Sequence, residues 1–161
     1  MADLRRISLL SFLLSFLATA GCSGLSTLTP DVLHAQQMRW NSAGPSYYSM
    51  IVEMKGDRIE TSRYAVTVRD KNVVKLERNG LLISPGGGLQ DYSIDGLFHI
   101  LDQELDLAKK PEILGAPPGW GAYTMASFDA ATGRLLRYQR SVGETKNGIE
   151  INVQDFRILG Q

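Results

Sequence analysis

Cysteine is nearly absent from this chain: Cys22 is the only one in 161 residues, so no internal disulfide can form. A fold without cross-links has to be held by its core. An excess of charge of either sign is missing too, with 17 basic and 17 acidic side chains, and electrostatic capture of nucleic acid is therefore not expected. Nor does the uncharged apolar run from Ile7 to Ala20 suffice for a membrane span, which needs about 20 apolar residues. A phosphate-binding loop is lacking as well. The glycines of "PGGGL", Pro85 to Leu89, are followed by no Lys-Ser/Thr pair and open no helix directly, so the segment reads as a flexible link.

What is present begins with Arg5 and Arg6, then the apolar run, then the small residues Thr19, Ala20 and Gly21 before Cys22. Basic start, short apolar middle and small end are the marks of a secretory signal peptide. "TAGC" resembles the lipobox of bacterial lipoproteins, in which the thiol takes a diacylglyceryl group, the leader is cut just before it and the new amino terminus is acylated. By that resemblance residues 1–21 form a lipoprotein signal peptide, and residues 22–29 form the lipidated cysteine and a tether. Ser23, where Asp would retain a lipoprotein on the inner membrane, then favours the outer membrane facing the periplasm in a two-membrane organism. Two or more acyl chains anchor stably, at about 0.8 kcal/mol per buried methylene. Lipidation of Cys22 also removes thiolate nucleophiles and Cys-based zinc from the mature chain. Removing Arg5, Arg6 and Asp3 from the 17 and 17 leaves 15 basic against 16 acidic side chains.

Residues 30–161 are read as a single domain, long enough for a hydrophobic core. Thr29 as cap, Pro30 at the first helical position and Asp31 in the first turn predict a helix over about 30–42, with Leu33, Trp40 and Ala43 on one stripe and Gly44-Pro45 as its stop. Period-two alternation predicts strands in "YYSMIVEM", with Tyr48, Met50, Val52 and Met54 on one side, and in "RYAVTVRD", with Tyr64, Val66 and Val68 on one side. Asp70-Lys71-Asn72 is expected to turn the chain, with Asn72 left-handed, into a third strand "VVKLER". The opposite faces carry Glu53, Arg63, Thr67, Arg69, Lys75 and Glu77.

Ser93 is placed as the cap of a second helix whose Ile94, Leu97, Phe98, Leu101, Leu105 and Ala108 follow the helical period. Three more strands follow in "AYTMASFD", "RLLRYQRS" and "IEINVQDFRIL", with Asn147-Gly148 read as a hairpin turn. "YSMIVEM" and "YTMASFD" stand at corresponding places, a trace of duplication. The expected fold class is α+β, two helices packed on one face of an antiparallel sheet in the order helix, three strands, helix, three strands.

"RWNSAGPSYYSMIVEM", "YAVTVRDKNVV", "YSIDGLFHILDQEL" and "IEINVQDFRIL" together resemble a family of small bacterial secreted or lipid-anchored proteins classed as a domain of unknown function. The similarity covers most of Met38–Leu159, departs from the family in lacking a proline in "TGRLLRY" and the paired cysteines of some relatives, and implies fold and location without an activity. The element order also resembles, as architecture alone, that of the β-lactamase-inhibitor proteins.

Candidate chemistry is sparse. Asp95, His99, Asp102 and Asp106 share one face of the second helix and have the types a metal or an acid–base site needs, although amphipathicity alone calls for a solvated face there. His34 is read as a surface residue and Ser93 as a cap with no base beside it. Tyr47, Tyr48, Trp120, Tyr123 and Tyr138 lie in or near strand starts, and Trp120, in the Pro/Gly-rich loop "APPGWGAY", is a candidate binding anchor together with Arg69 of the polar sheet face. These features predict a non-enzymatic protein without cofactor or metal, anchored in the cell envelope by lipid and using the polar face and the Trp120 loop to bind an envelope protein. Two alternatives are a carrier of a small apolar ligand between helix and sheet, and a metal-dependent hydrolase built on His99.

Overall fold

The computed structural model describes residues 24–84 and 88–160, so the expected signal peptide over 1–21, Cys22 and Pro85–Gly87 of the glycine-rich link lie outside the described residues. The chain runs β1 (Ser26–Thr27), α1 (Pro30–Ala43), β2 (Tyr47–Gly56), β3 (Ile59–Arg69), β4 (Asn72–Arg78), β5 (Leu81–Leu82), α2 (Ile94–Ala108), β6 (Ala122–Phe128), β7 (Leu135–Val142) and β8 (Ile149–Ile158). The described residues form an α+β fold of two α-helices and one eight-stranded antiparallel sheet. The expected six strands are joined by two short edge strands, β1 and β5.

Both helices begin as their side-chain chemistry dictates. Thr29 Oγ1 accepts a hydrogen bond from Val32 N at 3.3 Å, and Ser93 Oγ accepts one from Gly96 N at 3.0 Å while donating to Gln90 O at 2.7 Å. Each cap satisfies one of the orphan N–H groups of a first helical turn. A third such group, Ile94 N, is met by Tyr48 of β2, whose hydroxyl accepts at 3.0 Å and so pins the helix to the sheet. Gly96 is required at its position because a Cβ there would lie 2.1 Å from Gln90 O. Leu33 and Trp40 of α1 are buried as expected, with Val32 partly buried against the same core, but Ala43 in the last turn is exposed.

The sheet order is β1-β6-β7-β8-β2-β3-β4-β5. The two three-stranded units thus lie side by side, joined where β8 at the end of the chain pairs with β2 near its start. Inward residues of the strands, among them Tyr48, Met50, Val52, Val66, Val68, Leu135, Tyr138 and Ile151, form one core with Leu33, Trp40, Ile94, Leu97, Phe98 and Leu101 of the helices. A bulge in β8 keeps that core continuous. Asp155 takes φ 50°, two residues of β8 oppose one of β2, and Phe156 swings inward to stack on Tyr48 at 5.1 Å and meet Trp40 edge-on at 6.3 Å.

Several turns differ from expectation. In the β3–β4 hairpin the left-handed residues are Asp70 (φ 50°) and Lys71 (φ 64°), whereas Asn72 opens β4 and its side chain donates to Asp70 O at 2.9 Å. A two-residue turn with both centres left-handed matches the twist of the flanking strands. Asn147-Gly148 makes no two-residue hairpin: it closes a longer loop from Gly143 whose left-handed residue is Glu144, and its groups are bonded elsewhere, Asn147 Nδ2 to Leu114 O and Gly148 N to Asp57 Oδ2, each at 2.9 Å. The tight Asn-Gly hairpin is instead Asn79-Gly80, between β4 and β5.

The apparent duplication of "YSMIVEM" in "YTMASFD" does not extend to the faces. Tyr48 and Met50 are buried, but Tyr123 and Met125 point outward at 62% and 37% exposure. Pairing with β7 sets the phase of β6 and puts Thr124 and Ala126 inside.

Beneath the core lies a buried polar cluster. Arg140 Nη1 of β7 is 2.6 Å from Glu104 Oε2 of α2, Tyr138 OH donates to the same oxygen at 3.0 Å, and Arg140 Nη2 donates to Asn147 O at 3.3 Å. Burial, followed by the charge of Glu104, pushes the Tyr138 hydroxyl well above the ordinary tyrosine value.

Candidate functional site

Alternation in the central strands leaves every second residue on the face turned away from the core, and strand pairing arranges them in rows. Arg137 of β7, Asn152 of β8, Glu53 of β2 and Arg63 of β3 are successive cross-strand partners. In the neighbouring row Glu150 of β8 lies between Gln139 of β7 and Lys55 of β2. Opposite charges directly across a sheet attract by a few tenths to about 1 kcal/mol per pair.

Glu150 is the centre of this array. Arg137 Nη2 lies 2.9 Å from its Oε1, Lys55 Nζ lies 3.4 Å from its Oε2, and Asn152 Nδ2 donates to Oε1 at 2.9 Å. Partial burial works against the charge, but the Asn152 hydrogen bond and the two cations outweigh it and hold the carboxyl below the usual glutamate range. The carboxylate is therefore ionised and already satisfied, which suits a fixed point of recognition better than proton transfer.

Next to it the face is hollowed by a depression of about 360 Å³ lined by Lys55, Asp57, Thr61, Gln139, Ser141 and Glu150. Tyr123 and Met125 of β6 are the cross-strand partners of Ser141 and Gln139, so an exposed apolar border runs along its side. A second depression of about 260 Å³ includes Ile51, Ala65, Lys75, Glu77, Asp155 and Arg157 farther across the same face. Charged points, hydroxyls and an apolar border can bind a polar surface; neither histidine accompanies the hydroxyls, since His34 and His99 lie exposed on the helices.

Trp120 and Arg69 are not brought together. Trp120 precedes β6 and is 45% exposed, its ring packed where a Cβ on Gly143 would come within 2.4 Å. Arg69 ends β3 at the opposite end of the sheet, with its guanidinium 4.7 Å above the Tyr47 ring and Nη2 donating to the Tyr47 hydroxyl at 3.2 Å. On α2, Asp106 is bonded to Lys109 at 2.7 Å and the His99 ring to the Gln103 amide at 3.1 Å. Among the described residues no three His, Cys, Asp or Glu side chains gather as metal ligands, and no helix is long and apolar enough to cross a membrane. Ser93 caps α2 as expected.

Glu150, Lys55, Arg137 and Met125 were not singled out from the sequence, and Tyr123 was named only among the strand-start aromatics. Their alternation was visible, but which strands stand side by side is decided by long-range pairing. Comparisons with protein families, with characterised proteins and with solved structures found no match to this chain.

Proposed function

We propose that this protein is a non-enzymatic, lipid-anchored component of the cell envelope, on the outer membrane and facing the periplasm in a two-membrane organism, whose open sheet face docks another envelope protein. The two helices cover one face of the sheet and leave the other for the partner. The lipobox-like "TAGC" supports the anchor, and the proposed kinship with the family of unknown function belongs to the same reading. The single observation that carries the docking role is the Glu150 array with its apolar border of Tyr123 and Met125. An apolar-ligand carrier has no comparable support, because the space between α2 and the sheet is filled by Ile94, Leu97, Leu101, Leu135 and Tyr138, none more than 1% exposed.

Photocrosslinking in the native host tests the reading. A crosslinker at Gln139 or Thr61 on the open face should capture one defined protein, one at Gln37 or Asp102 on the helices should not, and Glu150→Lys should abolish the capture. Equal capture from both sides, or capture indifferent to Glu150→Lys, would refute it.

A further inference from the structure

From Ser26 onward the segment expected to be a tether belongs to the sheet. Ser26 and Thr27 pair with Ala126 and Met125 of β6, Leu28 N donates to Thr124 O at 2.9 Å, and the Leu28 side chain is only 3% exposed. Antiparallel pairing sends the chain backwards out of the fold past the C-terminal end of β6. Gly24 accordingly borders one surface depression together with Val32, Gln36, Arg39, Phe128 and Ala130. The strands alternate in direction, so each end of the sheet has its own set of loops. The Gly24 end holds the 129–134 loop, the Asp70–Lys71 turn and the C-terminal end of α1; the other end holds Trp120, the 143–148 loop and the Asp57–Arg58 turn.

Gly24 follows Cys22 by two residue steps, about 7 Å of extended chain. The ten-residue strand β8 runs roughly 30 Å from one end of the sheet to the other. A lipid on Cys22 can therefore reach the membrane only from the Gly24 end. We propose that this end, through the 129–134 loop and the C-terminal turn of α1, rests on the phospholipid headgroups, and that the end carrying Trp120 and the Glu150 depression is presented away from the membrane. Charge is not the orienting force: Arg39, Arg69, Lys71 and Arg157 share the Gly24 end with Asp70, Asp91 and Asp95, so the geometry of the docked segment sets the orientation. The inference rests on the lipid-anchor reading above and adds to it a membrane-contacting surface.

With Cys22 acylated, an engineered cysteine is the only free thiol, which makes the test clean. Full-length protein processed in a bacterial host is reconstituted in phosphatidylethanolamine–phosphatidylglycerol vesicles containing a headgroup-attached quencher, with a fluorophore on Asn41→Cys, Ala131→Cys, Arg58→Cys or Lys146→Cys. Several-fold stronger quenching at positions 41 and 131 than at 58 and 146 is expected. Equal quenching at all four, or the reverse order, overturns the orientation. A flexible Gly/Ser insert of about ten residues after Ser23 gives a reach of nearly 20 Å and should reduce the contrast; an unchanged contrast overturns the role of β1. Intact mass of the same samples separates the two ideas. Absence of acyl groups on Cys22 defeats the anchor itself, whereas correct acylation with the wrong quenching pattern defeats only the orientation.

Discussion

Single side chains in this fold carry unequal weight, and the buried cluster of Glu104, Arg140 and Tyr138 shows why. The Glu104 and Arg140 side chains are 11% and 7% exposed, so each charge has lost its water and depends on the other. Glu104→Leu leaves a buried guanidinium without a counter-charge and a phenol without an acceptor, and should cost about 3–5 kcal/mol in denaturant unfolding. Replacing the whole cluster by Glu104→Leu, Arg140→Met and Tyr138→Phe should recover most of that loss, because the penalty lies in the orphaned groups. Asp129 works at the same scale through pH. Its carboxylate accepts from the Thr132 hydroxyl at 2.7 Å and from Thr132 N at 2.8 Å, and these bonds, the hydroxyl's first, hold its pKa below the usual aspartate value. A depressed folded pKa gives stability that is complete above the unfolded value of about 3.9 and is lost as pH falls through the folded one. The stability difference between wild type and Asp129→Asn should therefore be constant near neutral pH and shrink below about pH 4. Its size should not exceed about 1 kcal/mol, since 31% of the side chain remains in water.

At the scale of the element, β8 shows how one residue sets the phase of a strand. Val153 faces the core, Gln154 faces out, and the extra residue Asp155 lets Phe156 face the core again. Asp tolerates the left-handed conformation and a β-branched residue does not, so Asp155→Val should destabilise the protein by about 1–2 kcal/mol while Asp155→Gly should be neutral or better. The Arg63–Asp155 contact at 3.6 Å is exposed and contributes little to the comparison. Thermal unfolding of the two variants side by side checks this. Helices were the more legible elements: Thr29, Pro30 and Ser93 announce their starts, and the stripe from Ile94 to Leu105 its buried face. Strand phases were legible in β2 and β3, where alternation is strict. In β6 the alternation of "AYTMASF" has apolar residues on both sides, and only its neighbour β7 determines that Tyr123 and Met125 face out.

For the whole molecule, the decisive contact is the pairing of β2 with β8, which welds the two three-stranded units into one sheet. Both strands lie in the middle of the sheet, and Val52, Ile151 and Val153 from them are buried. Truncation after Gly148 therefore should not leave a folded remnant lacking an edge. It should abolish the cooperative unfolding transition and expose apolar surface, seen as dye binding and loss of near-ultraviolet circular dichroism. By contrast β1 and β5 are two-residue edge strands, and the sheet's central order does not depend on them.

Local chemistry in the sequence determined where the helices start, which residues of β2, β3 and α2 meet the core, and the α+β class, because caps and hydrophobic periods act over a few neighbouring residues. Tertiary structure alone decided that the last strand lies beside the second, that Lys55 and Arg137 meet at Glu150 next to one depression, and that Trp120 and Arg69 sit at opposite ends. Those relations come from pairing across about a hundred residues, where many registers satisfy the same alternation and only the closed core selects among them.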